Sequence, residues 1–328
     1  NSNISNGAMF SETVNGSAMT RDYAERRARW EPLMEVTQMK GDSETHPFLS
    51  PEDEFADFET WDVGNVAGTL KEDWMLQHEY ARSALKLGMR LEQELGANPF
   101  KFGMIGSSDT HTSLSTTREE NYFGKLPHLE PSATRAGEVM LRHPKTDATL
   151  VSAWEAGASG LAAVWAQENS REAIFDAMAR KEVYATTGTR ISVRVFAGWD
   201  FKEDSVERID FAAHGYLHGV PMGGELRRAP SGKSPVLIVQ ALRDVDGANL
   251  DRVQVIKGWV DRDGEMHERI FDIAVSDRRP IGRDGRSRTP VGNTVSIGEA
   301  SYTNTIGDTQ LMARWVDPQF DPGQRAFY

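Results

Sequence analysis

The pattern of apolar residues before Arg190 is the feature that most limits the folds open to this chain. Short apolar runs at 160–166 and 183–187 flank a segment at 170–181 whose apolar spacing is helical. Strand, helix and strand therefore alternate along the chain, which is typical of α/β architectures. We predict an α/β fold over residues 1–190.

The pattern changes after this point. Short runs alternate apolar and polar residues, and Asp-Gly turns fall between them at 246–247 and 263–264. Such spacing is typical of β-sandwiches. We predict that residues 191–328 form a β-rich, sandwich-like region, which is either a separate domain or an extension packed on the α/β part.

The charge balance limits the partners of the chain. Its 328 residues include 37 basic and 49 acidic side chains, a formal net charge of −12, and no long basic run. Such a surface disfavours duplex nucleic acid as a partner. It also repels anionic substrates, so a phosphate or sulfate ester would need a metal or a local cluster of Lys and Arg.

Other absences in the sequence narrow the chemistry further. There is no cysteine, which excludes disulfides, thiolate metal ligands and cysteine nucleophiles in this chain. No apolar run approaches the ~20 residues that a membrane-spanning helix needs. The chain opens at Asn1 without an initiator Met and stops at Tyr328 within a strand-like run, so we expect it to be part of a longer protein.

The segment 102–111, FGMIGSSDTH, is the first candidate for a functional site. An apolar run with two glycines leads into a polar tip, as where a buried strand ends at the mouth of an α/β fold. On extended chain, Asp109 and His111 would point the same way, because side chains alternate with period two. A carboxylate and an imidazole so placed form half of a divalent-metal site. The alternative is that Asp109 caps a turn and His111 bonds locally.

A second candidate follows the apolar run at 32–36, which carries one carboxylate, Glu35. This carboxylate either faces solvent at the strand end or is held by a partner, because an unpaired buried charge is costly. The next loop places Lys40, Asp42, Glu44 and His46 within seven residues. Such crowding is typical of an active-site loop and equally of a solvated surface turn.

Helices are predicted on both sides of these candidates. The clearest runs from an N-cap at Thr69 to a C-cap at Gly96 and leads directly into the first candidate segment. Residues 132–143 also have helical composition. His214 and His218 are four residues apart, but in a Gly-rich β context that argues against a zinc pair on a helix face.

Several long motifs resemble a known family. The chain resembles the bacterial family named domain of unknown function 3604, which is similar to the polymerase-and-histidinol-phosphatase (PHP) superfamily of metal-dependent hydrolases. The resemblance covers nearly the whole chain. It rests on the segments GSSDTH, EPLMEVTQMKGDSETHP, GLAAVWAQENSREAIFDAMARKEVYATTGTR, DVDGANLDRVQVIKGW and YTNTIGDTQL.

This resemblance implies a fold and a metal site. The fold would be the C-terminal part of a distorted, PHP-like (β/α) barrel over 1–190, followed by the sandwich-like region. Asp109 and His111 match an Asp-x-His pair of the superfamily, and Glu35, followed by a β-branched residue, matches its strand glutamate, so the three would bind metal. The early His-x-His ligands of the superfamily are missing from this sequence, so we expect them upstream.

The implied chemistry is hydrolysis with two or three divalent metal ions. Oxygen and imidazole ligands suit Zn²⁺, Mn²⁺ or Fe, and paired metals activate a bridging water. Lys40, Glu44 and Arg190 would contact a small-molecule ester substrate, and His46 would carry protons as the catalytic side chain. A structural salt bridge is the alternative role for Arg190, and a solvated loop is the alternative for Lys40 and His46.

The sequence therefore predicts a metal-dependent hydrolase of phosphate or related esters. The alternative is a non-catalytic binding protein on a degenerate barrel, whose β-sandwich contacts a glycan or a partner protein. A third possibility is that the metals are purely structural. The family resemblance favours a periplasmic or secreted protein, and the sequence does not indicate an oligomeric state.

Overall fold

The structure is a computed structural model that describes residues 2–62, 64, 69–114, 121–128, 130–157, 160–227 and 229–328. The chain divides into two compact units. The first comprises residues 1–188 with 258–267 and 327, and the second comprises 189–257 with 268–326 and 328.

Helices and strands are mixed in the described residues. The helices are α1 (Arg21–Trp30), α2 (Asp73–Leu76), α3 (Ala81–Leu95), α4 (Arg171–Ala179) and α5 (Phe211–His218). The strands are β1 (Thr13–Val14), β2 (Ser17–Ala18), β3 (Leu33–Gln38), β4 (Gly41–Asp42), β5 (Gly103–Gly106), β6 (Val139–Arg142), β7 (Thr149–Ser152), β8 (Leu161–Val164), β9 (Val183–Thr186), β10 (Ser192–Gly198), β11 (Gly219–Pro221), β12 (Val236–Leu242), β13 (Arg252–Val260), β14 (Met266–Val275), β15 (Gln310–Val316) and β16 (Arg325–Phe327).

The sheet that positions the candidate site has the order β4-β3-β5. Strands β3 and β5 run parallel, with Glu35 opposite Ile105, and β4 folds back on β3 as a hairpin that pairs Thr37 with Asp42. The carboxyl ends of parallel strands meet at one edge of a sheet. The loops after β3 and β5, which carry both candidate segments, therefore emerge side by side.

Helix α3 covers this sheet and forms the core of the first unit. Its buried Ala84, Leu87 and Leu91 belong to one hydrophobic cluster with Met34 and Val36 of β3. These apolar side chains form the core-facing surface of the helix. Burial of these side chains fixes the helix against the strand that leads to the site.

The predicted boundaries of this helix are correct at one end only. Gly96 ends α3 in the left-handed conformation, with φ +75°, as a C-cap glycine does. The start predicted at Thr69 is wrong, because α3 begins at Ala81 and a separate short helix, α2, precedes it. The first free N–H groups of α3 donate to the carbonyl oxygens of Ser43 (2.9 Å) and Glu44 (3.0 Å), so a tertiary contact sets this boundary.

Smaller sheets complete the first unit. The strands predicted around 160–166 and 183–187 are confirmed as β8 and β9, and the Ser170 hydroxyl caps α4 between them. These two strands pair antiparallel. The helix predicted at 132–143 is wrong, because its Val-Met-Leu run forms β6, which pairs with β7.

The strands predicted in the second half of the sequence are present. They form a sheet of order β11-β10-β12-β15 and a sheet of order β14-β13-β16. Phe271 of β14 and Trp315 of β15 lie with ring centroids 5.1 Å apart, so side chains of the two sheets meet. Phe196 and Ile238, both fully buried, belong to a hydrophobic cluster with Phe201, Phe211 and Val236.

Helix α5 was not expected in this region. It places His214 and His218 one helical turn apart, with ring centroids separated by 4.6 Å. The sequence-based assignment of this pair to a β context is therefore wrong. The helix has only eight residues, and the glycines and strand-like runs on either side of it favour a β prediction for the whole segment.

The described strands of the first unit do not close into a barrel, and the PHP-like barrel stays a prediction. None of the helices in the described part of the chain is long and apolar enough to cross a membrane.

Gly160 provides a test of how closely the strand ends are packed. It has φ +86°, and a Cβ there would overlap the carbonyl group of Ser107, which is backbone and has little freedom to move. Gly160→Ala should lower the free energy of unfolding by about 3 kcal/mol or more, measured by urea denaturation. Gly16→Ala, at φ +79° with open space around it, should cost about 1 kcal/mol. Equal losses in the two variants would contradict this packing.

Candidate functional site

A cluster of charged side chains lies where β3 and β5 end. Lys40 follows β3 and its ammonium group donates to Oδ2 of Asp109, which follows β5. The ammonium group of Lys125 donates to the same oxygen at 2.5 Å and also to the backbone carbonyl of Asp109. One carboxylate thus accepts hydrogen bonds from two ammonium groups.

His111 lies beside this carboxylate. Its Nε2 is 3.3 Å from Oδ1 of Asp109 and 3.1 Å from Nζ of Lys125, and its backbone N–H donates to the Lys125 carbonyl. The imidazole is about half exposed. It is therefore the member of the cluster that meets solvent most directly.

Asp109 and His111 meet for a different reason than expected. Strand β5 ends at Gly106, and Asp109 has φ +52°, in the left-handed region that few non-glycine residues adopt. The two side chains are brought together by a turn and not by the alternation of extended chain. Unusual backbone conformations of this kind are enriched at functional sites.

Sequence reasoning missed Lys125. The residue lies 14 positions after His111, beyond a segment at 115–120 that is outside the described residues. Its side chain is only 4% exposed, and a lysine is rarely buried without a partner. No local pattern in the sequence predicts that Lys125 is buried, because its burial follows from pairing of its loop with the backbone of His111.

The cluster shifts the pKa values of its members. Burial favours the neutral form of Asp109, but the hydrogen bonds from Lys125 and Lys40 outweigh it and hold the pKa of this carboxyl well below its usual range. Burial, together with the nearby Lys40, lowers the pKa of Lys125 to about 8, although Asp109 acts in the opposite direction. Two ammonium groups on one carboxylate leave a local positive charge on an acidic protein.

Glu35, the third predicted metal ligand, has a separate contact. Its Oε2 accepts a hydrogen bond from the Ser107 hydroxyl at 2.6 Å. Across the described ranges, no group of three His, Asp or Glu side chains is close enough to hold a metal ion. Asp109 and His111 fit a metal in donor type and proximity, whereas Glu35 does not form a ligand group with them. Both ammonium groups donate to one oxygen of the Asp109 carboxylate.

Asp42 in the hairpin loop is the most perturbed acid near this cluster. Its Oδ2 accepts hydrogen bonds from the backbone N–H groups of Glu44 (3.0 Å) and Thr45 (3.4 Å). Burial and the neighbouring Glu44 carboxylate raise the pKa of Asp42 to about 7. This carboxyl group therefore changes charge near neutral pH.

Glu44, predicted to bind substrate, lies in an ion-pair network. Its Oε1 is 2.6 Å from the guanidinium of Arg82, which also contacts Asp53 at 2.7 Å. Arg82 and Asp53 are buried, so this network ties the hairpin loop to α3. The contact gives Glu44 a structural role, and its contact with substrate stays a prediction.

His46 has both ring nitrogens engaged. Its Nδ1 accepts from the backbone N–H of Phe48 at 3.1 Å, so the proton of the neutral ring is on Nε2, which donates to Asp62 at 2.9 Å. A carboxylate that orients an imidazole in this way is a familiar arrangement in acid–base sites. The catalytic role of His46 stays a prediction.

Arg190 lies in the second unit. The residue is exposed, and its backbone N–H donates to Oδ2 of Asp244 at 2.6 Å. This contact anchors the chain where the second unit begins. Because this contact involves the backbone, it does not distinguish between the two roles proposed for the guanidinium, a substrate contact and a salt bridge.

The raised pKa of Asp42 predicts a pH-dependent stability. The folded state holds this proton more tightly than the unfolded chain, so the stabilisation is complete below about pH 4 and is lost as pH rises through about 7. Asp42→Asn keeps the acceptor oxygen and should remove this loss. Urea unfolding from pH 4 to 8 should show the wild type losing up to about 3 kcal/mol relative to the variant.

The exposed Asp147 supplies the control for this measurement. Asp147→Asn should leave the wild-type pH profile unchanged. If the profile of Asp42→Asn also parallels the wild type, Asp42 is not the group that titrates.

Comparison with known proteins places the chain in a family of undefined activity. No curated protein and no solved structure matches it. Residues 1–328 match the family described as "Protein of unknown function (DUF3604)". A match over this span shows that the chain belongs to the DUF3604 family.

Proposed function

We propose that this chain carries the site of a metal-dependent hydrolase that cleaves phosphate or related esters. The observation that supports it best is the meeting of Asp109 and His111 with the ammonium groups of Lys40 and Lys125. This arrangement joins two potential metal ligands to a locally positive site. An acidic protein needs such a site to bind an anionic ester.

Asp109 and His111 would hold the metal, whose contribution when bound is to activate water and to neutralise charge on the ester. In the structure, both ammonium groups donate to the carboxylate oxygen Oδ2. A cation would compete with them for that oxygen. Ammonium groups released from Asp109 would be available for the substrate anion.

Lys125 is suited to bind the ester group. With a pKa of about 8 its ammonium group is largely protonated at pH 7, so it can bind a phosphate or sulfate oxygen and supply a proton to a leaving oxygen. Lys40 adds a second positive charge. Both lysines are buried, which strengthens their interaction with an anion relative to that of surface lysines.

The resemblance of the sequence to PHP enzymes supports the same class of reaction. The second candidate is a non-catalytic protein that binds an anionic ligand. It is favoured by the absence, among the residues that the structure describes, of a three-ligand metal group. Metal content and turnover distinguish the two.

Replacement of the metal ligands is the first test. Two or more divalent ions should copurify with each full-length wild-type chain, measured by elemental mass spectrometry. Asp109→Asn and His111→Ala should each lose metal and lower the hydrolysis of phenyl phosphate or phenyl sulfate by at least about 100-fold. His111→Ala is the milder change for folding, because this side chain is half exposed.

The control is again Asp147→Asn, on the exposed surface of the same unit. It should retain metal and activity. Full turnover in Asp109→Asn, or no bound metal in the wild type after reconstitution, would overturn the hydrolase proposal. Retained binding of phosphate without metal or turnover would establish the second candidate.

Replacement of Lys125 should change the affinity for the metal and the affinity for the substrate in opposite directions. Lys125→Met removes a competitor for the Asp109 oxygen, so the Kd for the metal should fall about 3- to 10-fold. The KM for the anionic ester should rise about 10-fold, because one ammonium contact is lost. Lys145→Met, at an exposed lysine, should change neither value. A lower metal affinity in Lys125→Met would contradict the competition.

A further inference from the structure

Helix α5 carries two histidines that the cluster around Asp109 does not use. His214 and His218 are one helical turn apart, and their ring centroids are separated by 4.6 Å with an angle of 52° between the ring planes. Residues at this spacing lie on the same face of a helix. The β context predicted from the sequence argues against a zinc pair on a helix face, and the helical backbone removes that argument.

The separation of the two rings matches that of two imidazoles on one metal ion. A transition metal lies about 2.0–2.1 Å from each nitrogen that coordinates it. With coordination angles between about 90° and 110°, two rings on the same ion have centroids about 4.5–5.2 Å apart. The rings of His214 and His218 are therefore already at the distance that chelation requires.

A buried hydroxyl group orients the first ring. Nε2 of His214 lies 3.1 Å from Oγ of Ser205, a residue that is 1% exposed, and this oxygen also accepts the backbone N–H of Lys202 at 3.0 Å. Histidine ligands of metals commonly donate their second ring N–H to such an acceptor, which fixes the tautomer and the ring plane. With Nε2 donating to Ser205, the lone pair of His214 is on Nδ1, where a metal can bind.

The second ring is open to solvent. His218 is exposed, and its side chain has no hydrogen-bond partner among the residues that the structure describes. Its imidazole can therefore turn towards an incoming ion without breaking a hydrogen bond. Water would complete the coordination sphere, because the same residues provide no third His, Asp or Glu ligand beside this pair.

The charges near the two rings favour a cation. The carboxylates of Asp204 and Asp210 and the guanidinium of Arg208 all act electrostatically on the His214 ring. Arg208 is itself paired with the Asp210 carboxylate, at 2.8 and 3.0 Å. Two carboxylates and one guanidinium leave a negative balance. His218 is also in the last turn of α5, where the helix dipole favours positive charge.

We propose that His214 and His218 form a bidentate site for a divalent transition-metal ion, in the second unit and independent of the proposed hydrolase site. Two imidazoles without a thiolate select ions that prefer nitrogen, so the affinity for Cu²⁺ should exceed the affinities for Ni²⁺ and Zn²⁺. The hard ions Mg²⁺ and Ca²⁺, which take oxygen ligands, should not bind there. A bound ion joins two successive turns of α5 and therefore stabilises this short helix.

The test is His218→Gln, which removes the exposed ligand and leaves the buried contacts of α5 in place. Cu²⁺ is titrated into the full-length, metal-free protein by calorimetry, and electron paramagnetic resonance counts the nitrogens bound to the ion. The wild type should show a site with two imidazole nitrogens. His218→Gln should weaken this site by about 100-fold or more, because a single imidazole loses the gain in affinity that chelation gives.

The matched control is His143→Gln, at a histidine of the first unit whose Nδ1 accepts backbone N–H groups of its own turn. It should leave the two-nitrogen site unchanged. His111→Ala, which should lose the metal of the proposed hydrolase, should also retain the two-nitrogen site. Failure of the hydrolase proposal and failure of this inference are therefore distinguishable.

Two results would overturn the site on α5. One is an unchanged Cu²⁺ affinity and an unchanged spectrum in His218→Gln. The other is a two-nitrogen signal that disappears in His111→Ala and persists in His218→Gln, because the ion would then lie at the cluster around Asp109. Equal affinities for Mg²⁺ and Cu²⁺ would contradict imidazole ligation.

Discussion

Parallel pairing of β3 with β5 is the constraint on which the site depends. It places the ends of two strands that are about 70 residues apart in sequence at one edge of a sheet. Close packing there requires glycine, since a Cβ at Gly106 would lie 2.7 Å from the carbonyl oxygen of Leu161. Without this pairing, Lys40 and Asp109 have no reason to meet.

Electrostatics then decides the form of the site. Burying two ammonium groups is costly unless anions compensate them, and the carboxylate of Asp109 contacts both. The pKa of this carboxyl falls because the contacts from the two lysines outweigh burial, and that of Lys125 falls because burial and the nearby Lys40 outweigh the attraction to Asp109. The surplus positive charge is a local exception on a chain with a net charge of −12.

The sequence predicts the parts of this structure that local chemistry determines. Strand β3 with Glu35, strand β5, the Gly96 C-cap and the crowded loop after β3 all follow from residue patterns. Other features depend on contacts between distant segments. The start of α3 is set by the carbonyl of Ser43, β6 forms by pairing with β7, and Lys125 joins the site through a loop whose sequence has no distinctive pattern.

The contact between Asp109 and His111 was predicted from an extended backbone that the structure does not have. The expected extended chain would have directed Asp109 and His111 to one side, whereas the left-handed turn does so by another geometry. Lys125 also donates to the backbone carbonyl of Asp109. Side-chain spacing in the sequence therefore located the pair, whereas Lys125 joins it because its loop pairs with the backbone of His111, a contact between segments that no local pattern indicates.

The neighbourhood of the site is polarised along one short hairpin. Lys40 contributes to the positive cluster, and two residues later Asp42 begins an acidic segment that continues with Glu44. Asp109 balances the charge of Lys40, and Arg82 balances that of Glu44. Two ion pairs of opposite order therefore hold this short hairpin to two different segments of the unit, β5 with its loop and helix α3.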